Sequence, residues 1–149
     1  MMNQLISFVV MVIVGMAFNP MNVLAYRFDD LFVSTTLFYG GLLMASNMIW
    51  SHEIIHYLSM GHINQHRLYF GLILSIIITK FLLRYQYNVS DNEWLKRMIS
   101  HHSTALTTSH KIAERTKNKK IKKLANEIIN TQEKEIRLMK SLLGYCDKY

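Results

Sequence analysis

Apolar residues dominate the first half of the chain and are much rarer in the second half. The apolar stretches end by Arg84, and from Tyr85 onward the chain is polar, lysine-rich and helix-forming. Because the hydrocarbon core of a bilayer is about 30 Å thick, a helix needs roughly 20 mainly apolar residues to cross it. The pattern therefore predicts an all-α protein with a membrane domain over residues 1–87 and a polar helical domain over residues 88–149.

Three apolar stretches predict three transmembrane helices, over about residues 5–25, 31–56 and 67–85. The first stretch is interrupted at Pro20, and the third carries Lys80, whose long side chain can reach the headgroups. A cleaved signal peptide is an alternative for the first stretch, because "VLA" resembles a signal-peptidase site, although no basic residue precedes the apolar run. Basic residues after the last stretch favour a cytosolic C-terminal domain. A folded domain can cross regardless of its charge, so the sequence leaves the topology open.

The polar domain is predicted to be an antiparallel hairpin of two helices. The sequence "SDNE", from Ser90, has the form of a capping box that starts the first helix, which runs to about Thr116. The second helix is expected to run from about Lys119 to Leu143 and to stop at Gly144. A two-helix hairpin buries little apolar surface alone. We therefore expect it to self-associate into a four-helix bundle or to dock onto the membrane helices.

Two adjacent histidines, His101 and His102, lie on the apolar face of the first hairpin helix at about 100° per residue, and His110 lies at the edge of that face. On the second helix, Glu135 lies within the apolar arc, although an unpaired buried charge is costly. Folding the hairpin about its turn brings six side chains to one height: Met98, His101, His102, Gln132, Glu135 and Met139.

This cluster has two interpretations. Hydrogen bonds between imidazole and carboxylate or amide would satisfy the buried groups without a metal. The alternative is a metal site with the ligands Met98, His101, His102, Glu135 and Met139, and with Gln132 and His110 as supporting or additional groups. Imidazole with thioether suits copper, and thioether in particular favours Cu(I). Imidazole with carboxylate would also accept zinc or iron, so the spacing does not separate these metals.

A second candidate metal site follows the second predicted span. Met44, Met48, His52 and His56 recur every four residues and therefore share one helical face. Such a stripe could hold or pass a soft metal ion at a membrane surface. The alternative is ordinary composition, because methionine is common in apolar spans and histidine is common at interfaces.

The net charge of +7 is accompanied by a lysine-rich run, "KNKKIKKLANE", whose lysines flank the predicted apolar arc of Ile121 and Leu124. A solvated face explains this run, and contact with anionic lipid headgroups is the alternative. Nucleic acid is not expected, because no groove-reading or base-stacking motif accompanies the charge. No nucleophile elbow, P-loop or zinc-protease motif is present, so we expect neither catalysis nor a small-molecule substrate. A single cysteine, Cys146, cannot form an intramolecular disulfide.

The segments "SDNEWLKRMISHHSTAL" and "IKKLANEIINTQEKEIRLMKSLL" resemble the domain-of-unknown-function family 305, whose copper-associated bacterial members are called CopM-like. The paired motifs of that family, Met-Ile-x-His-His and Gln-x-x-Glu-Ile-x-x-Met, fall here on Met98, Ile99, His101, His102, Gln132, Glu135, Ile136 and Met139. The resemblance implies a ferritin-like helical bundle and, for some members, copper bound by histidine and methionine. Ser100 stands where proline is usual, and Thr108 stands where a methionine is often found, which removes one thioether.

Together these features predict a multi-pass integral membrane protein with a C-terminal ferritin-like half-bundle that binds a metal ion, with copper as the leading candidate. The expected partners are the lipid bilayer and a second copy of the chain, paired through the hairpin. The competing hypothesis is a non-enzymatic structural membrane protein whose hairpin mediates self-association.

Overall fold

The computed structural model describes the backbone of residues 2–146 and the side chains of residues 5–143. Within that range the chain is all-α and contains no strand. Its α-helices are α1 (Met2–Ala17), α2 (Pro20–Val23), α3 (Thr35–Met60), α4 (Gln65–Ile77), α5 (Asp91–Arg115) and α6 (Lys119–Cys146). A 3-10 turn at Phe28–Asp30 precedes α3, and a π-helical segment, Ile78–Arg84, continues α4.

The described chain forms two compact units that alternate along the sequence. The first unit contains the residues up to Phe18 together with Thr35–Asn88. The second unit contains Asn19–Ser34 together with the residues from Val89 onward. Residues 19–34, which the hydrophobic pattern assigned to the membrane domain, therefore belong with the polar hairpin.

In the first unit, α3 packs against both α1 and α4. Gly41 allows the close approach of α1, because a Cβ at this position would lie only 2.8 Å from the carbonyl oxygen of Val12. On the other side of α3, the hydroxyls of Ser46 and Ser75 share a buried hydrogen bond of 3.0 Å. Small residues at close helix contacts and hydroxyl pairs between helices are typical of packing within a membrane.

Two stretches of the described residues are long and apolar enough to cross a membrane, Leu5–Val23 and Gln65–Arg84. The first lies near the N-terminus, where a signal sequence would be as long and as apolar. The prediction of three transmembrane helices is not supported, because α3 is not among these stretches; its C-terminal half carries histidines and the charged Glu53. The helix also begins later than the predicted span, at Thr35 rather than residue 31.

The second unit is the predicted hairpin, and its helix limits follow the expected signals closely. Ser90 caps α5, since its Oγ accepts the backbone N–H of Glu93 at 3.4 Å. α6 continues through Gly144 to Cys146, so the prediction that the helix stops at this glycine is wrong, because glycine can also lie within a helix. The side chain of Cys146 and residues 147–149 lie outside the described residues. Both helices contribute to the hydrophobic core, which contains Leu95, Ile99, Leu106, Ile136, Met139 and Leu143.

Residues 19–34, called the strap below, pack against a row of hydroxyl side chains on α5. Ser100 Oγ donates to the carbonyl oxygen of Asp30 at 2.8 Å. Ser103 Oγ accepts the backbone N–H of Tyr26 at 2.8 Å and donates to the carboxylate of Asp30 at 2.7 Å. Because the side chains are small, the strap backbone can reach the helix and still have its polar groups satisfied. The strap thus forms a third layer of the hairpin unit.

Candidate functional site

The antiparallel packing of α5 and α6 brings two of the predicted site residues together. His102 Nδ1 lies 3.0 Å from Glu135 Oε2, and the imidazole is largely buried, at 14% exposure, whereas the glutamate is 46% exposed. The pair forms an ion pair when the imidazole is protonated. When the ring is neutral, a proton on Nδ1 leaves the Nε2 lone pair available to a metal. The arrangement can therefore serve as a structural contact or as half of a ligand set.

His101 is exposed, and its ring centroid lies 5.8 Å from that of His102. The pKa of His101 is lowered, first because the imidazole is partly desolvated and then because His102 and Arg97 place positive charge nearby. A lowered pKa favours the neutral imidazole, which is the form that binds metals.

The two predicted thioethers belong to the hairpin core. Met139 is buried in the hydrophobic cluster, and Met98 packs against that cluster and is partly buried. Gln132 is also partly buried on the same helix as Met139. The two methionines thus lie on the helices that carry the imidazole–carboxylate pair, Met139 buried and Met98 partly buried.

The structure places His110 outside this group. Its ring stacks on that of Tyr26 in the strap, with centroids 4.8 Å apart and an angle of 12° between the planes. His110 and His102 are two turns apart on α5. The imidazole of His110 therefore helps to seat the strap on α5, a contact that the helical pattern of α5 alone does not indicate.

Among the described residues, no three side chains of His, Cys, Asp or Glu lie close enough around one point to hold a metal ion. The hairpin provides one imidazole–carboxylate pair of this kind.

The predicted stripe on α3 is only partly brought together. Met44 and Met48 are exposed and line a shallow groove on the surface of α3. The rings of His52 and His56 lie 6.4 Å apart, whereas His56 is closer to His62, with ring centroids at 4.4 Å. His56 Nδ1 also lies 3.1 Å from the carbonyl oxygen of His62, so this imidazole caps the turn after α3.

A buried carboxylate outside the predicted sites lies at the turn between α3 and α4. Glu53 is 5% exposed and accepts the backbone N–H of Asn64 at 3.1 Å. Arg67 Nη1 lies 3.6 Å from the other carboxylate oxygen. An acidic residue within an apolar stretch is itself a signal for a paired or functional group, and this signal was available in the sequence.

A second buried carboxylate holds the hairpin unit together. Asp30 is 1% exposed, and Lys140 Nζ from α6 lies 2.6 Å from its Oδ1, opposite the hydrogen bond from Ser103. One carboxylate thus links the strap, α5 and α6. A cavity of about 50 Å³ adjoins it, lined by Arg27, Asp30, Leu106, Glu133, Ile136, Arg137 and Lys140. The sequence offers little signal for this contact, since Asp30 and Lys140 are far apart in the chain.

Comparison with known proteins identifies the hairpin. Residues 80–143 match the family model DUF305, described as a domain of unknown function. The chain is also 38% identical over 125 residues to the uncharacterised protein L153 of Acanthamoeba polyphaga mimivirus, and the alignment covers 84% of this chain and 81% of that protein. No solved structure matches the chain.

Proposed function

We propose that this chain is an integral membrane protein whose hairpin binds copper. The chain belongs to the same family as the mimivirus protein, and its residues 80–143 match the DUF305 domain. The observation that carries the proposal is the contact between His102 and Glu135, 3.0 Å apart across the two hairpin helices. In binding copper, the chain would resemble the CopM-like members of that family, and its role would be metal handling or tolerance rather than catalysis.

The donor atoms fit copper by type. His101 and His102 would supply imidazole nitrogen, and Met98 and Met139 would supply thioether sulfur, a combination that suits Cu(I). Glu135 would accept a hydrogen bond from Nδ1–H of His102 and orient the ring, as carboxylates commonly do for metal-bound imidazoles. Zinc and iron prefer more nitrogen, oxygen or thiolate donors than the hairpin brings to one point.

Membrane attachment is the second part of the proposal. Large apolar side chains of α1 and α4 are exposed, among them Leu5, Ile13, Phe70 and Ile73. In water so many exposed apolar groups would be unfavourable, whereas in a bilayer they face lipid. α3 packs against both of these helices, and the carboxylate of Glu53 near its end is paired at the turn.

A copper titration of the purified full-length chain tests the proposal. We expect stoichiometric binding of Cu(I), measured by competition with a chromogenic chelator. The His102→Phe variant keeps a ring of similar size but removes the donor, so the affinity should fall by about ten-fold or more. His110→Phe is the matched control, because this histidine lies on the same helix but stacks on Tyr26.

Two results of this titration would contradict copper binding at the hairpin. One is the absence of stoichiometric binding to the unaltered chain. The other is an equal loss of affinity in the His102 and His110 variants, which would indicate a general loss of structure.

A second candidate function is self-association of the hairpin into a ferritin-like four-helix bundle. Trp94, Leu138 and Leu142 are exposed on the hairpin helices, and His102 already has Glu135 as a partner. Light scattering of the chain in detergent measures this directly. A copper-independent dimer, weakened by Leu138→Gln, together with a negative copper titration would favour this function.

A further inference from the structure

The tip of the hairpin, residues 111–124, carries nearly all of the net charge of the chain. It holds seven basic residues and one acidic residue, a net charge of +6. The whole chain has 17 basic and 10 acidic residues and a net charge of +7, so the basic and acidic residues elsewhere nearly cancel. The hairpin fold gathers this charge at one end, where α5 ends and α6 begins.

Two large apolar side chains are exposed among these basic residues. Ile121 is 44% exposed and Leu124 is 56% exposed. The helical pattern predicted that both would pack within the hairpin, whereas the buried residue at this level of α6 is Ala125, at 3% exposure. Ile121 and Leu124 are three residues apart and therefore share one face of α6. The tip thus displays an apolar pair surrounded by lysines.

The tip is held in a defined conformation by its own hydrogen bonds. Asn118 Oδ1 accepts the backbone N–H groups of Lys120 and Ile121, at 2.9 and 3.4 Å, and so caps α6. The backbone N–H of Asn118 donates to Thr116 Oγ1 at 3.2 Å. The first lysines of α6 and the apolar pair are consequently presented from an ordered helix start.

Few acidic groups neutralise the tip. Lys111 pairs with Glu114 at 3.1 Å, and Lys123 lies 3.8 Å from Glu127. In the part of the chain that the structure describes, no ion pair is found for the other basic residues of the tip: Arg115, Lys117, Lys119, Lys120 and Lys122. These side chains are therefore available to an anionic partner.

We propose that the hairpin tip docks on a membrane surface containing anionic lipid. The lysines would contact the headgroups, and Ile121 and Leu124 would insert at the boundary between headgroups and acyl chains. A polyanion such as a nucleic acid would satisfy the lysines but leave the two apolar side chains in water. The inference rests on the membrane attachment proposed above and is independent of copper binding.

A spin label at position 124 tests the docking in the full-length chain. The label is attached to Leu124→Cys in a Cys146→Ser background, and the chain is reconstituted in lipid nanodiscs in copper-free buffer. In discs of phosphatidylcholine with added phosphatidylserine, we expect the label to be more accessible to oxygen than to a water-soluble nickel complex. In discs of phosphatidylcholine alone, the label should be more accessible to the nickel complex than to oxygen, as expected for a site in water. A label at the exposed position Asn126, on the opposite side of α6, should report water in both.

Two sets of lysine substitutions distinguish docking that depends on the lysine charges from insertion of the apolar side chains alone. Replacing Lys119, Lys120, Lys122 and Lys123 with glutamine should abolish the lipid signal at position 124, whereas replacing them with arginine should retain it. A label that reports water in both kinds of disc overturns the proposal, as does a lipid signal that the glutamine variant leaves unchanged.

A chain that does not enter nanodiscs would contradict the membrane attachment but would still allow docking to be tested by flotation. The fraction of the chain that floats with phosphatidylserine vesicles should then fall by about ten-fold or more in the glutamine variant. An equal fraction for the unaltered chain and the variant would overturn docking.

Discussion

The helices of the two units place their large apolar side chains on opposite sides, outward in the first unit and inward in the hairpin unit. In the first unit, the large apolar side chains of α1 and α4 face outward, and the contacts between helices involve glycine and paired serines. In the hairpin unit, apolar residues fill the interior, and the strap is fixed to α5 by hydroxyl groups. Among the described residues, Glu53 is a buried carboxylate in the first unit and Asp30 is one in the hairpin unit. The comparison indicates that the apolar pattern places the helices, whereas close packing and polar contacts fix how they fit together within each unit.

The largest expected effect comes from removing the buried charge of the hairpin unit. Asp30→Ala leaves Ser103 and Lys140 without their partner, and breaking such a buried pair should cost about 3 kcal/mol of unfolding free energy. Hydrogen exchange of the α5 amides should accelerate accordingly, while α3 amides keep their rates. Asp29→Ala is the matched control, because this neighbouring carboxylate is exposed. Equal effects of the two substitutions would show that the network around Asp30 contributes nothing.

An intermediate effect on stability is expected in the first unit, where the contact between α1 and α3 depends on the small volume of a glycine rather than on charge. Gly41→Ala would place a Cβ 2.8 Å from Val12 O and from the Met16 side chain. We expect a loss of about 1–3 kcal/mol in the stability of the contact between α1 and α3. Gly40→Ala, in the same helix, would meet nothing within 4 Å and should be neutral or stabilising.

Detergent-induced unfolding, followed by the fluorescence of a label on α1, measures this pair of variants. A tolerated alanine at position 41 would mean that the two helices are less closely packed than described.

The smallest expected effect concerns pH. Because the pKa of His101 is lowered in the folded protein, the unfolded chain binds this proton more readily. Stability should therefore fall as the pH drops below the ordinary histidine pKa of about 6.5, until the folded protein is protonated as well. Arg97→Gln removes one of the smaller causes, so the His101 pKa should rise slightly in an NMR titration. A pKa that stays fixed would assign the whole shift to desolvation and His102.

The hairpin was predictable from the sequence because its signals are local. Ser90 caps α5 through a residue three positions away, and the helical repeat placed His102 and Glu135 on facing surfaces. The strap was not predictable, because its contacts with α5 use backbone carbonyl and N–H groups that every residue carries. The partner of Asp30 on α6 is likewise set by the tertiary fold. For α3, the regular spacing of His52 and His56 could not reveal that the ring of His56 turns toward His62.

The alternation of the two units along the chain has a consequence for biosynthesis. The strap is made directly after α1, but the serines that receive it and the lysine that neutralises Asp30 emerge from the ribosome only after α3 and α4. Until then the strap has exposed polar backbone and the charged side chains of Arg27, Asp29 and Asp30, which favour water over lipid. Translation of the last helix therefore completes a layer begun more than a hundred residues earlier, and a fragment starting at Ser90 would lack that layer entirely.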